Sequence, residues 1–166
     1  MTTFKNNPDE MQRLDWSILQ NGWISLYLKN EILEKDLEWF KTENYSIVDF
    51  ECKTWTNENE MHNQFKKRLC FPEYYGENIN ALNDCLSDIE IVNAGQIIVF
   101  RHLDSIDIKL AHILLDVFAD NARKHMLFGE RLLILSQVDN PNFRIEPVGA
   151  TPIIWNRQEW LNSKRR

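Results

Sequence analysis

Residues 71 to 91 read FPEYYGENINALNDCLSDIEI, a turn-forming loop followed by an amphipathic segment. Pro72 ends a preceding helix, and Gly76 permits a tight turn with a positive φ. From about Asn78 to Asp88, a rotation of roughly 100° per residue gathers the apolar side chains on one side. The pattern therefore predicts a short helix that is anchored in a core. Its apolar face consists of Ile79, Leu82, Cys85, Leu86 and Ile89.

The opposite side of this helix is polar, and the loop before it carries two tyrosines. Five carboxylates occur in the stretch, whereas no lysine or arginine occurs between Phe71 and Phe100. Neighbouring like charges are unfavourable unless a cationic partner compensates them, and tyrosines beside carboxylates are typical of protein interfaces. The pattern indicates a binding face for a basic protein, the alternative being an ordinary solvated helix face. The candidate partner-binding residues are Tyr74 and Tyr75 in the loop and Asn80, Asn83, Asp84 and Ser87 on the helix.

Apolar runs with the composition of β-strands alternate with amphipathic helices along the rest of the chain. This alternation favours parallel strands joined by right-handed crossovers, in one compact α/β domain. The predicted strands are 23–28, 45–51, 96–100 and 131–136, with a further apolar piece at 152–155, and the other predicted helices begin near Asn30, Asn57 and Ser105.

Polar residues before the apolar periodicity indicate where the helices begin. Asn30 is suited to cap the first helix, and Asn57 with Glu60 resembles a capping box. Asp104 is the candidate cap of the longest helix, and Asp107 is expected within its first turn, where negative charge is favoured.

The net charge limits the classes of partner. The 166 residues include 25 acidic and 19 basic side chains, so nucleic acid and anionic membranes are poor partners and a cationic protein is a better one. No apolar run approaches the ~20 residues of a membrane span. The three cysteines are an odd number without CxxC spacing, which favours reduced thiols and a cytoplasmic protein. We expect a monomer when the protein is free.

Enzymatic and metal-binding motifs are not recognisable in the chain. The four histidines lack HExxH or related ligand spacing. Cys85 lies on the predicted apolar helix face, which favours packing over nucleophilic catalysis, and no glycine-rich phosphate loop is present. We therefore expect no catalytic residues, no metal and no cofactor.

The run PEYYGENINALNDCL closely resembles the signature of the barstar family, the intracellular inhibitors of the ribonuclease barnase. Other segments, among them YSIVDFE, QIIVF, LLDVF and LLILS, occur in the family's order, so the resemblance covers about residues 45–136. It implies a barstar-like small parallel sheet flanked by helices. Residues 1–44 would then be an N-terminal extension, a strand and helix after a poorly ordered leader at 1–20, and residues 137–166 a C-terminal extension.

The resemblance also implies a function, that of a bacterial immunity protein which blocks the active site of a ribonuclease toxin. Position by position, Tyr74 would pack against the nuclease's catalytic histidine and Asp84 would enter its phosphate-binding pocket. Gly76 and Asn78 would shape the edge of the loop. Asp120 stands where the family has a glutamate that pairs with a nuclease arginine.

Two positions depart from the family's pattern. Asn80 replaces an interface aspartate, and Asn83 replaces an interface tryptophan. Because aromatic anchors and desolvated charges dominate interface energies, these changes predict weaker binding to barnase itself and a different cognate nuclease or related toxin. They also leave open a second function, an adaptor that keeps the barstar fold and binds a non-nuclease protein.

Overall fold

The computed structural model describes residues 4–166 as a parallel sheet flanked by helices. Its strands are β1 (Ile24–Tyr27), β2 (Tyr45–Glu51), β3 (Gly95–Arg101), β4 (Leu132–Gln137) and β5 (Ile154–Trp155). Its helices are α1 (Pro8–Met11), α2 (Leu14–Gln20), α3 (Asn30–Thr42), α4 (Glu58–Arg68), α5 (Ile79–Ser87) and α6 (Ile108–Leu127). The strands lie in the order β2-β3-β4-β1-β5, and each pair of neighbours is parallel. The predicted α/β class is confirmed.

The central strand β3 shows why the sheet is covered on both faces. Side chains alternate along a strand, so Ile97 and Val99 point to one face while Ile98 and Phe100 point to the other. Ile97 and Val99 pack in a cluster with α2 and α3, and Ile98 and Phe100 pack in a cluster with α4, α5 and α6. The apolar run at 96–100 is therefore a strand buried on both faces, as its composition predicts.

The ends of the chain contribute to this sheet. β1 lies between β4 and β5, and α3 covers the face opposite to α5. The division at residues 44/45 and 136/137 stays a prediction, although both end segments pair with the rest of the sheet through β1. Among residues 4–166, no helix has the length and apolar character needed to cross a lipid bilayer.

The predicted poorly ordered leader at residues 1–20 is wrong for the described part, 4–20, and residues 1–3 lie outside the described residues. α2 packs on the sheet through Ile18, which is 4% exposed. Asp15 is fully buried and lies 3.2 Å from the Arg131 guanidinium, while the Tyr45 hydroxyl donates to it at 2.5 Å. These contacts come from residues distant in sequence, so local periodicity does not reveal them.

The predicted cap of α3 is also corrected. Asn30 begins the helix, but its side-chain oxygen accepts a hydrogen bond from Arg101 rather than from the helix. The backbone N–H groups of Leu28 and Lys29 donate instead to the carboxylate of Glu159, each at 2.9 Å. The C-terminal segment therefore supplies the hydrogen-bond acceptors for the two backbone N–H groups that precede this helix.

The predicted cap of α6 is wrong, because Asp107 and not Asp104 caps this helix. Asp107 is the N-cap, accepting from the backbone N–H groups of Lys109 and Leu110, and the helix begins at Ile108 rather than near Ser105. The carboxylate of Asp104 accepts from backbone N–H groups after β4. Asn57 caps α4 as predicted, because its side chain accepts from the backbone N–H of Glu60.

Candidate partner-binding site

The loop before α5 is a compact turn from which one tyrosine projects. The backbone N–H of Tyr75 donates to the carbonyl of Pro72 at 3.0 Å, and that of Phe71 donates back to the last turn of α4. Tyr74, at the tip, is 83% exposed. A large aromatic side chain with this exposure is an expected anchor for a protein partner.

The second tyrosine of the loop, also a predicted partner-binding residue, is buried. Tyr75 is 5% exposed, its ring lies 4.9 Å from the Phe71 ring, and its hydroxyl is 2.5 Å from Nδ1 of His62 in α4. Burial lowers the pKa of His62, against the opposing influence of Glu58 and Glu77. A neutral His62 can accept a hydrogen bond from Tyr75, so this pair anchors the loop to α4.

Asn78 joins the loop to α5 with both ends of its side chain. Its oxygen accepts from the backbone N–H of Ala81 at 2.9 Å, and its Nδ2 donates to the Gly76 carbonyl at 3.0 Å. A Cβ at Gly76 would lie 3.2 Å from Nδ2 of Asn78. A Cβ there would require the Asn78 amide to shift by a few tenths of an ångström. The predicted positive φ occurs at Glu77, with φ 50°, and not at Gly76.

α5 presents the polar surface that its periodicity predicts. Leu82 and Leu86 are fully buried in the core, and Asn80, Asp84 and Ser87 are exposed on the other side. The Ser87 hydroxyl donates to the backbone carbonyl of Asp84 at 2.7 Å. A helix fixed by its apolar face thus holds the Asp84 carboxylate in solvent.

Asn83 lies at the contact between α5 and α6. Its oxygen accepts from Nδ2 of Asn121 at 3.0 Å and lies 3.4 Å from Nζ of Lys124. The same ammonium lies 2.9 Å from the carboxylate of Asp120, and Arg123 is 3.5 Å from that carboxylate. Asp120, a predicted partner-binding residue, is therefore half-exposed and already paired within the chain.

The negative charge around α5 is balanced only in part. Lys66 of α4 lies 3.1 Å from Glu73, so a basic residue outside the stretch neutralises one of its carboxylates. None of the ion pairs formed among residues 4–166 involves the other four, Glu77, Asp84, Asp88 and Glu90. Burial raises the pKa of the Cys85 thiol, and the charges of Asp84 and Asp88 raise it further. The exposed side of α5 is a region of negative potential.

Residues 4–166 contain neither a metal-ligand cluster nor a disulfide. No group of three or more histidine, cysteine or acidic side chains there could hold a metal ion. Cys52, Cys70 and Cys85 are free thiols. The exposed side chains of the loop and α5 include the Tyr74 ring, the Asp84 carboxylate, the Asn80 amide and the Ser87 hydroxyl.

Sequence reasoning missed three residues that shape this site: His62, Asn121 and Lys124. Lys124 follows Asp120 by four residues, a spacing that brings opposite charges together on a helix, so this pair could have been found from the sequence. His62 and Asn121 give no such signal, because their partners, Tyr75 and Asn83, come from other elements.

A comparison with known families matches residues 45–137, more than half of the chain, to the family model described as Barstar (barnase inhibitor). The matched part runs from the start of β2 to the end of β4. It includes the whole site, from His62 to Lys124.

Proposed function

Because the chain belongs to the barstar family, we propose that it is a stoichiometric inhibitor of a barnase-like or related ribonuclease toxin. The loop and α5 would enter the active site of the ribonuclease and block it. The observation that carries this proposal is the exposed carboxylate of Asp84, which forms no ion pair among residues 4–166, on a core-anchored helix next to a loop that exposes Tyr74. Under the same proposal it is an immunity protein in the cytoplasm of the producing cell. In the absence of its partner it is a monomer.

The mechanism follows from the charge that a ribonuclease cleft must carry. Such a cleft gathers lysine, arginine and histidine side chains to hold phosphate, so a carboxylate at the right position imitates the substrate. Asp84 can form charge-assisted hydrogen bonds there in place of a phosphate oxygen. The surrounding carboxylates mainly accelerate association and make it dependent on salt.

The rigidity of the site lowers the cost of binding. The loop is held by the hydrogen bond between Tyr75 and His62 and by both ends of the Asn78 side chain. Few groups must therefore be ordered when the partner binds, and preorganisation of this kind increases affinity.

The α6 side of the site favours a partner that differs from barnase. Asn80 and Asn83 provide amides where the family has an aspartate and a tryptophan. The carboxylate of Asp120 is already paired with Lys124. A nuclease arginine directed at this position would meet an ammonium, so we infer that the cognate nuclease places its cations nearer to Asp84.

The first prediction concerns Asp84→Ala. Loss of one member of a buried charge pair costs about 2–5 kcal/mol in protein complexes, a range to which measurements on barnase and barstar themselves contribute. Immobilised wild type and variant are incubated with extract and culture medium of the cells that make the protein, and captured proteins are identified by mass spectrometry. Wild type should retain a small basic ribonuclease and inhibit it at a one-to-one ratio, and the variant should lose it.

The matched control is Glu31→Ala, which removes an exposed carboxylate from α3 on the opposite face of the sheet. This control should capture the ribonuclease as wild type does. Competition with a non-cleavable RNA analogue should release the nuclease, because both occupy its phosphate cleft. Capture of one non-nuclease protein by wild type and Asp84→Ala alike would contradict the inhibitor and support the adaptor alternative.

A further inference from the structure

We propose that the partner also places a basic segment in a groove beside α5, with arginine or lysine side chains that contact Asp88 and Glu90. This inference rests on the proposed inhibitor function and extends its site beyond the loop and Asp84. The groove has a volume of about 590 Å³ and lies where the loop, the last turn of α4, α5 and the edge of the sheet meet.

The groove is continuous with the proposed inhibitory surface. Tyr74 and Asp84 both line it, so a partner that contacts them also lies at its entrance. Its apolar lining includes Val48, Leu69, Phe71 and Ile89. Apolar walls of this kind suit the methylene stems of lysine and arginine, which bury their stems and keep the charge at a polar rim.

The charge in the groove favours a cationic occupant. Asp84, Asp88 and Glu90 line it, and none of these three forms an ion pair among residues 4–166. Arg68 also lines it, but its guanidinium donates to the Asp49 carbonyl at 2.6 Å and lies 6.0 Å from the centre of the Phe50 ring. The carboxylates are therefore available to a partner, and the exposed Tyr74 ring adds a surface over which a cation can lie.

On the α6 side of α5, the predicted partner-binding carboxylate is already paired within the chain. There Asp120 is paired with Lys124 and Arg123, and Asn83 is bonded to Asn121. Three of the four unpaired carboxylates of the acidic stretch, Asp84, Asp88 and Glu90, thus line the groove. A partner whose positive charges match this distribution must carry cations on the groove side, next to the group that binds Asp84.

The test uses the free protein, labelled with ¹⁵N, and the capped peptide acetyl-Arg-Leu-Arg-amide. The reference peptide carries citrulline in place of each arginine, which keeps the shape and removes the charge. We expect saturable shifts of backbone amides in residues 84–90 and at Tyr74 with the arginine peptide and not with the citrulline peptide. The double variant Asp88→Asn/Glu90→Gln should bind about tenfold more weakly, as expected for the loss of two partly exposed ion pairs.

The matched control is Glu31→Gln/Glu38→Gln on α3, which changes the net charge equally on the opposite face and should bind as wild type does. Equal shifts with both peptides, no saturable shift at the groove, or equal weakening in both double variants would overturn the proposal. Shifts that appear when the protein alone is concentrated would assign the groove to a second copy instead. Because no ribonuclease is present, failure here is distinguishable from failure of the inhibitor proposal.

Discussion

At the scale of single residues, the contact between Tyr75 and His62 makes the anchoring of the loop before α5 dependent on pH. Burial lowers the pKa of His62 relative to its usual value near 6.5. As the pH falls below about 6.5, His62 takes up a proton more readily in the unfolded chain than in the folded one. The contribution of His62 to the free energy of unfolding is therefore fully present above about pH 6.5 and is progressively lost below it. Protonation also removes the lone pair that accepts the hydrogen bond from Tyr75.

We expect His62→Asn to reduce this pH dependence, because the amide can hydrogen-bond near the position of Nδ1 but does not titrate. The measurement is the free energy of unfolding in urea at several pH values between 5 and 8, values spanning roughly the range in which histidine titrates. His112→Asn is the control, since Nε2 of His112 lies 3.0 Å from the carbonyl of Pro147, outside the loop. Equal pH dependence in wild type and His62→Asn would refute the role of His62.

At the scale of elements, two helices begin with the same cap but differ in their relation to the site. Asn78 caps α5 and Asn57 caps α4, with oxygen-to-nitrogen distances of 2.9 and 3.0 Å. Loss of such a cap costs about 1 kcal/mol of stability. Only the Asn78 side chain also donates to Gly76 in the loop.

We therefore expect Asn57→Ala to lower the free energy of unfolding by about 1 kcal/mol, and Asn78→Ala by at least as much, because it also removes the hydrogen bond to Gly76. Only Asn78→Ala should weaken binding to the captured ribonuclease, because it also releases the loop that carries Tyr74. Urea denaturation gives the free energy of unfolding, and calorimetric titration with the captured ribonuclease gives the dissociation constant. If both variants bind the nuclease equally well, the Asn78 contact does not preorganise the loop.

At the scale of the whole molecule, the C-terminal segment is hydrogen-bonded to the N-terminal part of the chain. Glu159 is fully buried, and its carboxylate accepts from the backbone N–H groups of Leu28 and Lys29 and from Asn156. Arg165 donates to the Glu159 carbonyl and to that of Pro141. The segment therefore stabilises the connection between β1 and α3.

Glu159→Ala should leave these two backbone donors unpaired and lower the free energy of unfolding by roughly 2 kcal/mol or more. Gln158→Ala, at an exposed neighbouring position, should change it little. Thermal unfolding followed by circular dichroism compares the three proteins. A Glu159→Ala variant as stable as Gln158→Ala would show that solvent replaces this contact without cost.

Features that depend on neighbouring residues could be predicted from the sequence. The apolar face of α5, the strand at 96–100 and the Asn57 cap follow from spacings of a few residues, because helix and strand geometry fixes which of those side chains share a side. The exposure of Asp84 follows in the same way. These local patterns determined the α/β class and the polar face, and the PEYYGEN motif indicated the family.

Only the tertiary structure decided which polar groups are already paired. Tyr75 and Tyr74 are adjacent and chemically identical, yet His62 and Phe71 bury one and leave the other exposed. Glu159 reaches Leu28 across 131 positions of the chain. A buried polar group must find a hydrogen-bonding partner wherever packing brings one, and spacing along the chain does not specify that partner. The sequence therefore determined the fold class and the polar face, and three-dimensional packing decided which of its charges remain free for a partner.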